Sequence, residues 1–396
     1  MRVDIPHRDI VAPGLALFVQ SLGRPNTLGS KLGLLRERFH YGFSLVEQLM
    51  LMTVPHGITA LGGGRFLVNL WSYVGYLEID CAARTARYLR RAGQAADEVL
   101  GSQQWRDRRT GELYYATYPL PESMRKTADA RHPVSCRILK EGPADGATTV
   151  VWSGVLSDYL HDIMVNETGQ YCVVCELGMF QDEANRTIPS KVLILDLRSG
   201  RHWLIEKFIV AAHAQFDPVD PDVIYFSHHN FKFVPGSVLQ LLREATYALK
   251  FTGPAAVYKY RLTPDGPVEL GVFTDPALFR LTNFHVFLHR GQRVLAAMGF
   301  PNFIYIASAD TMQAIRKITV SDRTPRGPAL RAPPCFIGTF SPSSDGECLY
   351  VQTTRSFQVI RVADGVPVGV LPLKHHHTAA NHMQTVGAEQ PSAPRT

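Results

Sequence analysis

A short unit of strand, turn and strand recurs along most of this chain and constrains its fold more than any other feature. Each copy has a β-rich run, a turn containing Asp with Gly, Ser or Thr, and a second β-rich run. The copies are YLEIDCAARTARYL (76–89), KVLILDLRSGRHWLI (191–205), VYKYRLTPDGPVELGV (257–272), IYIASADTMQAIRKI (304–318) and FQVIRVADGVPVGVL (357–371). Asp and Gly favour the turns, while the β-branched and aromatic flanks favour strands.

A second unit precedes most of these copies. It has a short strand, a turn rich in Gly or Asp-Pro, and a strongly apolar strand, and it occurs at 56–71, 103–118, 161–176, 213–228, 285–300 and 338–353. The two units together make a four-stranded meander of about 40–50 residues, the period of a propeller blade. We therefore predict an all-β fold, a six- or seven-bladed β-propeller. Six blades are visible, and strands from the two chain ends could close a seventh, which would remove unpaired sheet edges.

Two stretches depart from the strand pattern. Residues 28–53 have apolar residues at helical spacing, and GSVLQLLREATYALKF (236–251) has the pattern of an amphipathic helix inserted in the fourth blade. We predict an N-terminal helical or extended segment over 1–54 that packs on the propeller, the propeller over 55–374, and a C-terminal strand or tail over 375–396. The tract LKHHHTAANHM (373–383) is interpreted as a solvated C-terminal segment, with a closing strand as the alternative.

Composition and charge exclude several functional classes. The 396 residues are 45% hydrophobic and carry a formal charge of +6. The positive charge is spread along the chain without a basic stripe, which argues against a nucleic-acid partner and is compatible with an anionic small molecule. No apolar run is long enough for a membrane span. The N-terminus lacks a secretory pattern, so we expect a cytoplasmic protein, and a homo-oligomer remains open.

Familiar cofactor and nucleophile motifs are missing from the sequence. Gly62–Gly64 lies between two strands and is not a strand-to-helix phosphate loop, so no nucleotide cofactor is expected. There is no GxSxG nucleophile elbow. Cys172 and Cys175 form a CxxC within a predicted strand, where residues three apart face opposite ways. We interpret them as two buried apolar side chains.

Histidines recur at one position of the second unit. When its six copies are aligned by their turns, the opening residue of the first strand is His56, His161, His213 or His285, with Gln103 and Gly338 in the remaining two. First strands of propeller blades line the central channel, so equivalent residues lie at one level around the axis. Neutral imidazole is a common ligand of divalent metals. The sequence thus predicts a metal site, manganese or iron, formed by these four histidines.

Further polar residues are predicted to surround the same level. We assign catalytic roles to His285, His213, His229, Asp162 and Glu176, and substrate contacts to Gln103, Gln215, His228, Asn230 and His289. A carboxylate such as Asp162 or Glu176 could orient a ligating histidine. Each of these residues could instead be a solvated or hydrogen-bonded structural residue.

The segment HAQFDPVDPDVIYFSHHN (213–230) resembles the oligogalacturonate lyase family. The matching residues are His213, the turn at Pro218 and Asp220, and His228. NFHVFLHRGQRVLAAM (283–298) stands where that family has its catalytic histidine, so the resemblance gives His285 that role. It implies a cytoplasmic propeller that cleaves acidic sugars by β-elimination with a divalent metal. The family's late blade has a Gln and two His as metal ligands, but CFIGTFSPSSDG (335–346) contains none, so that metal site is not transferred.

Two other segments resemble carotenoid cleavage oxygenases, which hold a non-haem iron on four axial histidines. They are LHDIMVNETGQYCVV (160–174) and RDRRTGELYYATY (106–118). Gln103 or Gln104 stands where that family needs a histidine.

Three functional classes therefore remain open. The first is a histidine-dependent, metal-assisted lyase or isomerase that abstracts a proton from a carboxylate-bearing small molecule. The second is a four-histidine iron oxygenase. The third is a non-catalytic propeller that binds a protein partner, because the fold alone does not determine the function.

Overall fold

Strands and turns make up the regular structure of the part of the chain that can be described. The computed structural model describes residues 55–372 except for 71–75, 81–82, 84, 96–97, 120–133, 144–145, 157–159, 177–189, 209, 230, 236–246, 252–253, 280–282, 300–301, 322–336 and 354–355. Within these residues there are 26 strands and no helix. None of the described residues, accordingly, forms a long apolar helix of the kind that crosses a membrane.

Three four-stranded antiparallel sheets form the first half of the described chain. Sheet 1 contains β1 Pro55–Gly62, β2 Arg65–Leu70, β3 Tyr76–Asp80 and β4 Thr85–Leu89. Sheet 2 contains β5 Glu98–Arg106, β6 Leu113–Pro119, β7 Val134–Glu141 and β8 Thr148–Leu156. Sheet 3 contains β9 Leu160–Val165, β10 Tyr171–Glu176, β11 Ser190–Asp196 and β12 His202–Phe208.

The second half repeats this arrangement with one added ribbon. Sheet 4 contains β13 Val210–Phe216, β14 Val223–His229, β17 Pro254–Thr263 and β18 Gly266–Phe279, and its ribbon pairs β15 Phe231–Pro235 with β16 Tyr247–Phe251. Sheet 5 contains β19 Phe284–His289, β20 Gln292–Gly299, β21 Phe303–Ser308 and β22 Gln313–Thr319. Sheet 6 contains β23 Ile337–Pro342, β24 Cys348–Thr353, β25 Ser356–Arg361 and β26 Pro367–Pro372.

The six sheets have a β-propeller arrangement, which confirms the predicted fold class. The first strand of each sheet, here termed its inner strand, packs against the first strand of the next from sheet 1 through sheet 6. Apolar side chains alternate between the two faces of each sheet and form a core in each space between neighbouring sheets. Fourth strands such as β12 and β22 are mostly exposed, whereas β14 and β24 are almost fully buried.

The second stretch with helical spacing is a strand wherever the structure describes it. The helix predicted over 236–251 is wrong at 247–251, which form β16 and pair with β15; residues 236–246 lie outside the described part of the chain. Tyr247 and Phe251 have high strand propensity, and the neighbouring strand prevails over the helical spacing. The predicted segments at 1–54 and 375–396 also lie outside the described residues.

Cys172 and Cys175 behave as the strand pattern predicts. Both thiols are free and buried. Cys172 belongs to the core between sheets 2 and 3, and Cys175 to the core between sheets 3 and 4, so the two point to opposite faces of β10. Burial raises the pKa of the Cys172 thiol to about 12, which keeps the thiol protonated and unreactive.

Polar side chains on several inner strands bond the inner strand of the following sheet. The Thr59 hydroxyl of β1 donates to the carbonyl of Gln104 on β5. Gln215 of β13 bonds both backbone groups of Val286 on β19: its Nε2 donates to the carbonyl at 2.6 Å, and its Oε1 accepts from the N–H at 2.9 Å. Inner strands have one edge without a neighbouring strand, and these bonds satisfy backbone groups along that edge.

The role of Gln215 as a bridge between sheets 4 and 5 gives a first prediction. Gln215→Ala removes both bonds to Val286, so we expect the free energy of unfolding to fall by about 1–3 kcal/mol. Denaturant unfolding of the purified variant measures the change. Gln292→Ala, on the exposed first residue of β20, is the matched control. Equal stability of the Gln215 and Gln292 variants would contradict the bridging role.

Candidate functional site

The inner strands are irregular at five of the six positions that the alignment of the repeated units selects. The regular pairing of an inner strand with its neighbour is interrupted by a β-bulge in five of six sheets: between Pro55 and Ile58, Leu100 and Gln104, Leu160 and Asp162, Ala212 and Gln215, and Ile337 and Thr339. These bulges contain His56, Gln103, His161, His213 and Gly338 respectively. In sheet 5, His285 pairs regularly with Ala296. Bulges re-aim side chains and are frequent beside active sites.

His213 has the least common backbone conformation of this group. Its φ is +56°, the left-handed region. Arg290 and Met312 are the other non-glycine residues with positive φ among those described, and both lie in hairpin turns, whereas His213 lies inside a strand. Its backbone N–H is released by the bulge and donates to the Asp162 carboxylate on the inner strand of sheet 3. The residue as a whole is partly exposed.

A second imidazole lies against His213. The rings of His213 and His229 are nearly perpendicular, with centroids 5.3 Å apart. His229 is 2% exposed, and its Nε2 is 3.3 Å from the Ser227 hydroxyl oxygen. Because that hydroxyl donates its hydrogen to the carbonyl of Ala212 at 2.8 Å, its oxygen accepts from Nε2–H of His229. The structure therefore brings Asp162, His213 and His229 together and adds Ser227.

Sequence reasoning missed Ser227, although a signal for it exists. Ser227 and His229 are two residues apart on β14 and therefore share a face of the sheet. Cys175, which the sequence indicates is a buried apolar side chain, is a further neighbour of Asp162. Its pKa is raised well above the usual value, chiefly by burial and then by the Asp162 carboxylate, while a hydrogen bond from the backbone of Ala214 opposes the shift.

His285 lies two inter-sheet spaces farther along the ring, between sheets 5 and 6. Its Nε2 is 2.9 Å from the carbonyl of Phe340, and its ring packs edge-on against the Phe340 ring at 5.1 Å. A carbonyl can only accept, so Nε2 carries the hydrogen and Nδ1 the lone pair. Burial lowers the pKa of His285 to about 4, although the bond to Phe340 opposes this shift. The ring is therefore neutral near pH 7.

This tautomer fits a metal ligand better than a base. Metal-binding histidines commonly donate one N–H to a carbonyl and coordinate through the other nitrogen. Within the described residues, however, no group of three or more His, Cys, Asp or Glu side chains is placed to hold a metal ion. The backbones of His56 and His161 lie in β1 and β9, but their side chains are not among the described ones. The predicted four-histidine site thus remains a prediction.

The residues predicted to contact substrate are dispersed. Gln215 is occupied by its two bonds to the backbone of Val286. His228 points to the opposite face of β14 from His229 and packs against the rings of Phe208 and Tyr258, with centroids 5.7 and 6.1 Å away. Burial, with a smaller contribution from Lys207, lowers its pKa to about 4.

The remaining predicted residues lie farther from the cluster or outside the description. His289 lies at the far end of β19, where its Nδ1 donates to the carbonyl of Gly346 at 2.9 Å and is 3.6 Å from Glu347. Gln103 and Glu176 lie in β5 and β10 with their side chains undescribed, and Asn230 is outside the described residues.

Comparison with known proteins adds no family to these observations. A scan against protein-family models gives no match, and a search of curated proteins finds no significant similarity. The fold and the arrangement of side chains therefore carry the functional assignment.

Two partly buried histidines, His228 and His285, make stability depend on pH. The pKa of both His228 and His285 is about 4, below the ordinary 6.5, so the unfolded chain binds more protons between these values. The contribution of the two neutral rings to the free energy of unfolding is fully present above about pH 6.5. It is lost as the pH falls toward 4, by up to about 1.4 kcal/mol per pH unit for each ring. We expect His285→Gln, which can still donate to Phe340, to reduce this slope.

Chemical unfolding measured at several pH values tests this expectation. His202→Gln, on the exposed β12, is the control and should retain the pH dependence of the parent protein. A His285→Gln variant with the same dependence as the parent would show that His285 does not remain neutral in the folded state.

Proposed function

We propose that the protein is a small-molecule enzyme that removes a proton from an anionic substrate, with His213 as the base. The strained backbone of His213 is the observation that carries this proposal. A non-glycine residue inside a strand at φ +56° costs free energy, and such residues cluster at functional sites because the surrounding structure holds them in place. The Asp162 carboxylate bonds the backbone of His213 at this bulge, and the ring of His229 packs against its imidazole.

The neighbours of His213 suit a proton transfer. The His229 ring is fixed by Ser227 and packs edge-on against the ring of His213, restricting the orientation of the base. Asp162 is 3% exposed and places a carboxylate beside the His213 backbone. A nearby negative charge favours the protonated imidazole that forms when the base accepts a proton.

The reaction class follows from the base and the anionic substrate. His213 would accept the proton from the carbon next to the substrate carboxylate, and the C–H electron pair would delocalise onto that carboxylate. In an elimination this pair forms the Cα–Cβ double bond as the bond to the β-oxygen breaks, and the leaving oxygen takes a proton. In an isomerisation the pair shifts an adjacent double bond of the substrate, and the carbon at its far end takes the proton. The +6 charge of the chain favours an anionic substrate.

His285 is assigned a different role from the base that its sequence position suggests. With a pKa of about 4 and Nε2 committed to Phe340, it is a weak proton acceptor near pH 7 but a suitable neutral ligand through Nδ1. His285, His56 and His161 are the residues that would hold a divalent cation such as manganese or iron. When bound, the cation would supply Lewis acidity that stabilises charge on the substrate carboxylate.

Substitution of His213 tests the proposal with little risk to the fold. Glycine adopts positive φ freely, so His213→Gly should leave the free energy of unfolding within about 1 kcal/mol of the parent while removing the imidazole. We expect this variant to lose turnover of oligogalacturonates and other uronates, measured by the ultraviolet absorbance of the new double bond conjugated to the carboxylate. His202→Gln is the control for activity.

Turnover that survives His213→Gly would remove His213 as the base. If the parent protein eliminates or isomerises none of the uronates, the proposed substrate class is wrong. Metal analysis of the purified protein adds a second readout: stoichiometric iron with oxygen consumption would favour the four-histidine oxygenase instead.

A further inference from the structure

The β-bulge that contains His213 takes backbone groups out of the regular pairing of sheet 4. Pairing of β13 with β14 stops after Ala212 and resumes at Gln215, so His213 and Ala214 lie outside it. Backbone N–H and C=O groups that leave a strand pairing inside a protein need other partners. In this bulge the partners are side chains, and they come from both faces of sheet 4.

The two N–H groups of the bulge are bonded to side chains of sheet 3. The N–H of His213 donates to the Asp162 carboxylate, and the backbone of Ala214 bonds the Cys175 sulfur. Both of these side chains are buried, Asp162 at 3% and Cys175 at 0% exposure. Sheet 3 therefore fixes the bulge through two residues that its own strands hold in place.

The carbonyl group next to His213 is bonded from the opposite face. The peptide that joins Ala212 to His213 contains the Ala212 C=O and the His213 N–H. The Ser227 hydroxyl donates to that C=O at 2.8 Å. Ser227 shares a face of β14 with Tyr225, which belongs to the core between sheets 4 and 5. The same peptide is thus bonded at its N–H by sheet 3 and at its C=O from the side that faces sheet 5.

These two bonds explain how a histidine keeps a left-handed backbone inside a strand. A hairpin turn supports the positive φ of the other two non-glycine residues that have it among those described, whereas His213 has no turn. To reach the negative φ of an ordinary strand, the peptide before His213 would have to rotate. That rotation would break its bonds to both Asp162 and Ser227. A strained conformation of this kind persists only where the surrounding structure over-determines it.

The Ser227 hydroxyl also bonds the ring that packs against His213. Its oxygen accepts from Nε2–H of His229, with the two atoms 3.3 Å apart, and the His229 ring lies 5.3 Å from the His213 ring. One hydroxyl therefore contacts the peptide before His213 and the ring beside its imidazole. Because a bulge determines where its side chain points, rotation of this peptide would turn the His213 imidazole away from His229.

We propose that Ser227 is a positioning residue for the base. Its hydroxyl holds the peptide before His213 in the conformation that directs the imidazole into the site, while Asp162 bonds the same peptide from the opposite face. The inference rests on His213 being the base of the proposed function. Ser227 is 1% exposed, so its effect on turnover is exerted through His213 and His229 rather than by contact with the substrate.

Crystal structures of the parent protein and of Ser227→Ala test the conformational part. We expect positive φ at residue 213 in the parent, and a rotated peptide with negative φ in all or part of the variant molecules, because the Ala212 C=O has lost a bond. Ser227→Thr keeps a hydroxyl and should keep the positive φ. If Ser227→Ala does not fold, Ser227→Cys replaces it, since a thiol is a weak donor of similar size.

Kinetics of the same variants test the effect on the base. We expect kcat for uronate turnover to fall by roughly tenfold or more in Ser227→Ala with KM within about threefold, because small displacements of a catalytic group are costly. Ser227→Thr should recover most of kcat. Thr274→Val is the matched control: its hydroxyl donates to the carbonyl of Ala255 at 3.0 Å in the outer half of sheet 4. It should leave kcat and the φ of residue 213 unchanged.

The outcomes separate this inference from the proposed function. Positive φ at residue 213 in every Ser227→Ala molecule would overturn the positioning role, whether or not the parent protein acts on uronates. A fall in kcat without rotation of the peptide, or an equal fall in Thr274→Val, would also overturn it. A rotated peptide with unchanged kcat would instead show that His213 is not the base, and would leave the conformational role of Ser227 in place.

Discussion

The unpaired inner edge of each sheet is the constraint on which the rest of this structure depends. Every four-stranded sheet has a first strand with no neighbour on one side, and buried backbone N–H and C=O groups need partners. The chain meets this need with side chains from the preceding sheet: Thr59, Asp162, Gln215 and His285 each bond the backbone of the next inner strand. The same bonds fix the order and spacing of the sheets.

These bonds also explain why polar residues are concentrated at the level where a site is expected. Gln215 and His285 are site candidates in the sequence because they are polar residues in apolar strands. In the structure, each side chain is hydrogen-bonded to the backbone of the next inner strand. His213 differs from them because its backbone N–H, rather than its ring, makes the bond to the Asp162 carboxylate of the neighbouring sheet. This bond holds the His213 backbone in its left-handed conformation, and the ring lies against His229 where chemistry is proposed.

The sequence predicts local features of this fold well and contacts between sheets poorly. Alternation of apolar residues, together with the turn signals, locates most of the strands. Alignment of the repeated units by their turns also locates the bulges, because a turn and the bulge in its strand belong to the same hairpin. The hairpin of β7 and β8 is not among the repeated units, although Asp145 and Gly146 stand at its turn, and helical spacing conceals the strand at 247–251. The pairing of His229 with His213 depends on the bulge geometry, and the bond from His285 to Phe340 joins residues 55 apart on different sheets. No spacing rule within one strand contains that information.

The equivalence of Cys175 and Gln352 shows how a repeat fold can be interpreted from its exceptions. Both residues are on the second strand of their sheet and pair with the residue that follows a bulge. For sheet 3 the next inner strand is β13, and its backbone at Ala214 reaches Cys175. A buried amide without a bond is costly. Among the described sheets, sheet 6 has no following sheet, and the Nε2 of Gln352 makes no hydrogen bond there.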